Sequence, residues 1–288
     1  MAAIARPRQG LTRRAALASA VALALAPCVH AEPPGLTLSG RFVQGGFAIG
    51  RTAPRARILL DGQDVGQASA EGLFVVGFDR DAGESATIIV KSPDGQAEHV
   101  LAIGKVDYDI QRIDGLPQDQ VEPTDPELLA RIAQETQRKA VGFASLEDDD
   151  SYRGGFILPV LGARLSARFG GQRILDGVPK RPHYGTDLAA PIGTPVLAPA
   201  PGRIAFAETG LHFEGSLIMI DHGQGLLSMY LHLSRVDVSA GQTVQRGQLI
   251  GLVGMEGRAT GPHLCWRMSW RGRHLDPMLL VGVSAPVA

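Results

Sequence analysis

Short apolar runs separated by turn residues extend through most of the chain, and this pattern limits the folds that are open to it. The sequence contains 36 glycines and 19 prolines, residues that interrupt regular structure and form turns. Between residues 36 and 106 the turns include Asp61-Gly62 and Asp94-Gly95, two dipeptides typical of β-hairpins. Regularly spaced short strands are typical of a small β-sandwich. We therefore expect an all-β chain with an immunoglobulin-like N-terminal domain.

One helix is expected between the β-type regions. Thr124 to Glu127 is a helix start, because proline suits the first turn and a carboxylate there interacts favourably with the helix dipole. Apolar residues then recur at helical spacing as far as about Ala140. The acidic stretch Glu147 to Asp150 follows, and we expect it to be a solvated linker. Its acidity and position also suggest the hypothesis that it covers a groove of the C-terminal region and inhibits it.

The first 31 residues have the composition of a secretory signal peptide. Four arginines and no acidic residue lie here. The apolar run Ala15 to Ala26 is too short to span a bilayer as a helix. Val29 to Ala31 is similar to a cleavage site with small residues. We therefore expect export to the periplasm or cell envelope, without stable membrane insertion.

The expected parts are a signal peptide (1–31), an N-terminal β domain (32–108), a helical and acidic linker (109–155) and a C-terminal β domain (156–288). Loss of the signal peptide removes four of 28 basic residues, so the formal charge changes from −1 to −5, or 24 basic against 29 acidic residues. A mildly acidic protein without basic runs lacks the electrostatic footprint of nucleic-acid binding. The N-terminal domain carries no catalytic motif, and we expect it to position the rest or to dock a protein partner.

Two pairs of residues in the C-terminal part have the chemistry of an active site. His183 and Asp187 form the first pair, and His263 and Cys265 form the second. All four are residue types that bind zinc or move protons. His263 and Cys265 are two residues apart, so on a strand their side chains lie on the same face. Three ligands from the two pairs would leave a tetrahedral zinc one open position, as catalytic zinc sites require.

Further motifs follow in order along the same region. They are Pro191 to Val196, Ile220 to Gly223, Tyr230 to Ser234, Gly247 to Gly251 and Thr260 to Trp266. Together, from about Arg164 to Pro277, the chain resembles the LytM/lysostaphin-type zinc peptidases, the M23 family of cell-wall endopeptidases. The resemblance implies a compact two-sheet β fold with zinc at the bottom of a groove. Residues 156–288 are therefore expected to form an M23-like peptidase domain.

The resemblance also implies roles for five residues. His183 and Asp187 match two zinc ligands of the family, and His263 matches a catalytic histidine. Position 265 matches the third ligand, where the family has histidine and this chain has cysteine. His232, in the motif around Tyr230, matches a second catalytic histidine, which polarises the reacting water or the substrate.

Cys265 is the one departure from the family pattern, and two interpretations of it stay open. A thiolate is a good zinc ligand. Zinc with two imidazoles and one carboxylate carries a net charge of about +1, and exchange of one imidazole for a thiolate makes it neutral, which should acidify a bound water less. The alternative is that Cys265 is a small buried residue, as free cysteines often are. It is the lone cysteine of the expected mature chain.

We therefore expect one Zn²⁺ per chain, held by His183, Asp187 and Cys265, and hydrolysis of peptidoglycan stem-peptide crosslinks with His232 and His263 as catalytic residues. Zinc would make hydroxide available near neutral pH. The alternative belongs to another functional class: a lapsed LytM-type domain that binds peptidoglycan or activates a separate amidase. A single departure, to a residue that still binds zinc, favours the enzyme.

Overall fold

The computed structural model describes Ala2 and residues 35–287. Apart from Ala2, the predicted signal peptide lies outside the described residues. Residues 35–287 pack as one compact unit, and none of the helices within this range is long and apolar enough to cross a bilayer. Strands predominate throughout, so the prediction of an all-β chain with a single long helix is confirmed.

Two antiparallel sheets form the N-terminal region, one in the order β1-β2-β5 and the other in the order β4-β3-β6-β7. Their strands are β1 (Thr37–Arg41), β2 (Phe47–Arg51), β3 (Arg57–Leu60), β4 (Gln63–Gln67), β5 (Leu73–Gly77), β6 (Ser85–Ser92) and β7 (Gly95–Ala102). In β6 every second residue, Ala86, Ile88 and Val90, is buried, as a strand with one face in the core requires. These side chains share a core with Phe47 and Ile49 of the other sheet. The region is therefore a small sandwich.

A short strand and two helices connect this sandwich to the C-terminal region: β8 (Ile110–Ile113), α1 (Gln118–Val121) and α2 (Pro126–Phe143). Helix α2 begins as expected, because the Asp125 side chain accepts hydrogen bonds from the first free backbone N–H groups and Pro126 follows it. It ends three residues beyond the predicted end. Near its C-terminus Gly142 lies against Phe206 and Met219, so the helix packs on the C-terminal sheet.

The C-terminal region is built on one eight-stranded sheet, with a path β18-β14-β15-β16-β20-β12-β9 and β21 paired to β20. Smaller sheets, β13-β19-β17 and β11-β10-β8, lie beside it. The elements are a 3₁₀ helix (Ser151–Gly154), β9 (Arg164–Ala167), β10 (Gln172–Leu175), β11 (Val178–Pro179), β12 (Thr186–Ala189), β13 (Pro195–Leu197), β14 (Gly202–Leu211), β15 (Gly215–Asp221), β16 (Leu226–Leu231), β17 (Leu233–Val236), β18 (Thr243–Val244), β19 (Leu249–Val253), β20 (His263–Trp270), β21 (Arg273–Leu275) and α3 (Pro277–Leu280).

Strand β20 separates core from site by simple alternation. Leu264, Trp266, Met268 and Trp270 point into the main core and are almost fully buried. His263, Cys265 and Arg267 therefore share the opposite face. On that face Cys265 stands directly across the ladder from Asp187 of β12 and from Leu231 of β16. The sheet register thus brings the two residue pairs of the sequence motif together.

The segment expected to be a linker is more structured than its composition indicates. Strand β8 pairs in parallel with β10, so this part of residues 109–155 belongs to a C-terminal sheet. The acidic stretch is held by ion pairs of Glu147 with Arg203 and of Asp148 with Arg55. None of its residues lines the two cavities beside Asp187 and His263, so the hypothesis that it covers the groove has no support in this structure. The division of the chain into domains at residues 31, 108 and 155 stays a prediction.

Candidate metal centre

Three potential ligands converge on the open face of β20. The ligand atoms of His183, Asp187 and Cys265 all lie within 4.8 Å of one another. His183 Nε2 is 3.4 Å from Cys265 Sγ and 3.1 Å from Asp187 Oδ1. Asp187 and Cys265 are cross-strand neighbours, and His183 comes from the turn before β12, where its backbone N–H donates to the Gly171 carbonyl. The arrangement therefore depends on the sheet and on one anchored turn.

The spacing of these atoms fits zinc. Zinc bond lengths of about 2.0–2.1 Å to nitrogen or oxygen and about 2.3 Å to sulfur place tetrahedral ligand atoms roughly 3.4–3.6 Å apart. The two distances from His183 Nε2 are within about 0.3 Å of those values. Asp187 Oδ1 is buried and, among the described residues, makes no hydrogen bond. A buried carboxylate oxygen without a donor is costly, and a cation between these three atoms would satisfy it.

Two further histidines border the same point. His263 Nε2 lies 3.7 Å from Asp187 Oδ1, and the rings of His263 and His232 are 4.9 Å apart. Each ring is anchored through Nδ1, which donates to the carbonyl of Gly261 in one case and of Glu256 in the other. Nε2 of each ring is then the nitrogen free to accept a proton. His232 has a φ of +66°, a conformation unusual for this residue type and often found where function requires it.

The charge states of the site follow from its burial. Burial lowers the pKa of His232 to about 4, and burial also lowers the pKa of His263 below its ordinary value. Both rings are therefore neutral near pH 7. Burial alone would raise the pKa of Asp187, but His183, His263 and Arg173 lower it far below its ordinary value, so this carboxylate stays ionised.

Three arginines surround the centre, and the sequence motifs indicated none of them. Arg173 of β10 has a guanidinium nitrogen 3.6 Å from Asp187 Oδ2. Arg267 of β20 donates from Nε to Cys265 Sγ at 3.4 Å. Arg258 lines the same small cavity as His232 and His263, and burial, then its arginine neighbours, lower its pKa to about 10. The alternation of side chains along β20 could have predicted that Arg267 lies on the same face as Cys265. The position of Arg173 could not be predicted in this way, because it depends on the pairing of β10 with β8, which is distant in sequence.

Residues 110–121, which we call the covering segment, lie over this centre. Ile113 and Leu116 help to close a cavity of about 50 Å³ that also contacts Asp187 and His263. Asp176 holds the segment by accepting hydrogen bonds from the backbone N–H groups of Gly115 and Leu116 at 2.6 and 3.2 Å. Arg258 donates to the Gln120 carbonyl at 3.2 Å. A larger groove of about 650 Å³ also borders Asp187 and His263 and is lined by residues of β8 and β9.

Comparison with known proteins finds relatives of the region that carries these residues. The model of peptidase family M23 matches residues 181–277, which include every potential ligand and both additional histidines. The peptidoglycan DD-endopeptidase ShyA of Vibrio cholerae is 44% identical over 117 residues, 40% of this chain and 27% of ShyA. The DD-carboxypeptidase/endopeptidase Mpg of Neisseria meningitidis is 39% identical over 135 residues, 46% of this chain and 30% of Mpg. The chain thus spans less than a third of the length of these relatives.

A solved structure matches far more of the chain. The crystal structure of an M23 peptidase candidate from Pseudomonas aeruginosa is 31% identical, with a TM-score of 0.64. The match covers 84% of this chain and 96% of that one. It therefore includes the N-terminal sandwich as well as the region that carries the metal centre.

Proposed function

The chain belongs to peptidase family M23, and from that premise we propose that it is a zinc-dependent endopeptidase that hydrolyses peptide crosslinks of peptidoglycan. One observation carries this proposal: a buried His–Asp–Cys cluster with zinc spacing lies beside two histidines whose Nδ1 atoms are held by backbone carbonyls, which leaves Nε2 as the proton acceptor. Catalytic zinc sites combine three protein ligands with an open position. His183, Asp187 and Cys265 are the proposed ligands.

Zinc bound there would supply Lewis acidity at its open position, which activates water and polarises a peptide carbonyl. His263 is placed to take the proton of the attacking water, because its Nε2 is unprotonated and lies 3.7 Å from Asp187 Oδ1. Once protonated, the same nitrogen can give the proton to the leaving amine. His232, whose ring lies 4.9 Å from that of His263 and is anchored through Nδ1, would orient the water as a hydrogen-bond acceptor through Nε2. Asp187 stays ionised throughout.

The substrate class rests on the relatives and on the expected export. ShyA is named a peptidoglycan DD-endopeptidase and Mpg a DD-carboxypeptidase/endopeptidase. A periplasmic or envelope location, as the N-terminal composition predicts, would place the chain beside the same polymer. We therefore propose stem-peptide crosslinks as substrate, with the N-terminal sandwich as a positioning or docking domain.

The small cavity between His232 and His263 limits what can reach both histidines at once. A cavity of about 50 Å³ has room for one or two waters, each with a share of about 30 Å³ in the liquid. A crosslinked peptide is far larger, and we propose that the covering segment moves aside when substrate enters the space between His232 and His263. The larger neighbouring groove provides a path along β9 for the remainder of the peptide.

The direct test is digestion of a purified dimeric, crosslinked disaccharide peptide, followed by mass spectrometry of the products. We expect one bond to be cleaved, and we expect His263→Ala and His232→Ala each to lower the rate by about 10²- to 10⁴-fold. His99→Ala is the matched control, because His99 is an exposed strand residue of the N-terminal sandwich. Parent-like rates for both active-site variants would exclude this mechanism.

The alternative is a lapsed domain that binds peptidoglycan or activates a separate amidase. A thiolate ligand and a covered centre favour it, since both reduce the reactivity of the site as it stands. The two functions differ in the response to Cys265→His. The lapsed domain would be supported if the parent cleaves no substrate with or without added zinc, while the Cys265→His variant binds zinc and cleaves the substrate. Binding to insoluble peptidoglycan would then be the activity to measure.

A further inference from the structure

Arg267 donates a hydrogen bond to the sulfur of a proposed metal ligand. Its Nε donates to Cys265 Sγ at 3.4 Å, and both side chains project from the same face of β20. Within residues 35–287, no carboxylate forms an ion pair with Arg267. The sulfur of a proposed metal ligand is therefore the principal acceptor that the fold provides for this half-buried guanidinium.

The contact between Arg267 and Cys265 requires a residue without a side chain at position 185. A Cβ atom on residue 185 would lie 2.7 Å from Arg267 Cγ and 3.0 Å from Cys265 Sγ. Glycine at 185, in the turn between His183 and Asp187, lets the arginine stem and the sulfur lie directly under the chain. The contact is therefore packed between two strands and a turn and does not result from a mobile surface side chain.

The net charge of the proposed zinc centre explains what the contact between Arg267 and Cys265 could do. His183, Asp187 and a Cys265 thiolate would reduce the charge of bound Zn²⁺ to zero, one unit below a centre whose third ligand is imidazole. Each anionic ligand has its own arginine: Arg173 approaches Asp187 Oδ2, and Arg267 approaches Cys265 Sγ. A hydrogen bond to a thiolate withdraws electron density from sulfur, so it weakens the neutralising effect of that ligand.

We propose that Arg267 is a positioning residue that compensates for cysteine at the third ligand position, by orienting the Cys265 thiolate and restoring positive charge to the metal centre. The inference rests on the proposed zinc site. It accounts for how a neutral ligand set is compatible with peptidase chemistry, and it makes residues 265 and 267 a functional pair. Partners of metal ligands typically contribute 10- to 100-fold to metal affinity or activity.

A double-mutant cycle separates this role from a purely structural one. Arg267→Met keeps the length and packing of the side chain but removes its charge and its donor, and it is made in the parent and in a Cys265→His background. We expect a 10- to 100-fold loss of zinc affinity in the parent background. In the histidine background we expect a change within about twofold. Arg271→Met, at an exposed arginine four residues further along, is the control and should leave zinc affinity unchanged.

Cobalt substitution supplies a readout that does not depend on turnover. The Co²⁺ form of the parent should show a thiolate-to-cobalt charge-transfer band. Arg267→Met should shift this band to longer wavelength, because loss of the hydrogen bond raises the energy of the sulfur lone pairs. Arg267→Lys keeps the charge and should recover part of the zinc affinity.

The outcomes distinguish this inference from the proposed function. A band that Arg267→Met leaves unmoved, or an equal loss of zinc affinity in both backgrounds, would overturn the role of Arg267 while leaving the metal centre intact. A parent that binds Co²⁺ without a thiolate band, or that binds no metal, would overturn Cys265 as a ligand and the role of Arg267 with it.

Discussion

Asp176 is the residue whose change should most clearly release the covering segment. Its carboxylate accepts hydrogen bonds from the Gly115 and Leu116 backbone N–H groups at 2.6 and 3.2 Å, and its own N–H donates to the Ile113 carbonyl. Asp176→Asn removes the charge and one acceptor but keeps a residue type that tolerates the observed φ of +45°. The backbone of β10 and β11 should therefore stay as it is.

The expected size of the effect follows from these two bonds. A hydrogen bond to a charged group contributes about 1.5–3 kcal/mol. Asp176 is exposed, so screening by water reduces this value, and the loss for Asp176→Asn should be about 1 kcal/mol in total. A change of that size raises the population of the open state about fivefold. If opening limits access, kcat/KM for a crosslinked peptide should rise by the same factor.

Two assays test this reasoning together. Hydrogen exchange measures opening of residues 110–121, and the rate at which a chelator removes zinc measures access to the centre without any substrate. Asp61→Asn is the control, because Asp61 has a similar φ of +51° in an N-terminal turn. Faster exchange in Asp176→Asn without faster zinc removal or higher kcat/KM would refute the idea that this segment controls access.

Three further predictions concern stability and the ligand geometry. Burial lowers the pKa of His222 to about 4, against about 6.5 in the unfolded chain. Between these two values the unfolded state binds a proton that the folded state does not. The free energy of unfolding should therefore fall by about 3 kcal/mol from pH 6.5 to pH 4. Urea titrations should show a weaker pH dependence in His222→Gln, and an unchanged slope would contradict this assignment. Gly185→Ala should lower zinc affinity at least tenfold, measured by chelator competition, because its Cβ would displace Cys265 Sγ or Arg267; parent-like affinity would mean that the turn adapts. Zinc at 100 times its Kd should stabilise the protein by about 2.7 kcal/mol, and thermal unfolding with and without a chelator should detect this difference, whereas an identical midpoint would argue against a bound metal.

Much of the architecture could be predicted because the strands have a local signature. Turn dipeptides such as Asp61-Gly62 mark the ends of hairpin strands, and Asp125 and Pro126 mark the start of α2. The spacing of His263 and Cys265 indicated that they share one strand face, and the structure places them so. The resemblance to M23 peptidases added the connection to His183 and Asp187, which spacing alone does not establish.

The parts that could not be predicted depend on contacts between residues far apart in sequence. Strand β8 pairs with β10 some sixty residues later, and nothing in its short, mixed sequence distinguishes it from a linker. The covering segment follows from that pairing, so the position of Leu116 over the centre could not be inferred. The contacts of Glu147 to Asp150 could not be inferred either, because charge indicates solvation but does not identify the ion-pair partners Arg55 and Arg203.

The most direct test of the central claim is zinc X-ray absorption of the purified protein, with metal content determined on the same sample. The account predicts one zinc per chain, with one sulfur ligand at about 2.3 Å and nitrogen or oxygen ligands at about 2.0–2.1 Å. In Cys265→Ser the sulfur contribution should disappear. Zinc bound through nitrogen and oxygen alone in the parent, or a parent without zinc, would contradict a centre formed by His183, Asp187 and Cys265.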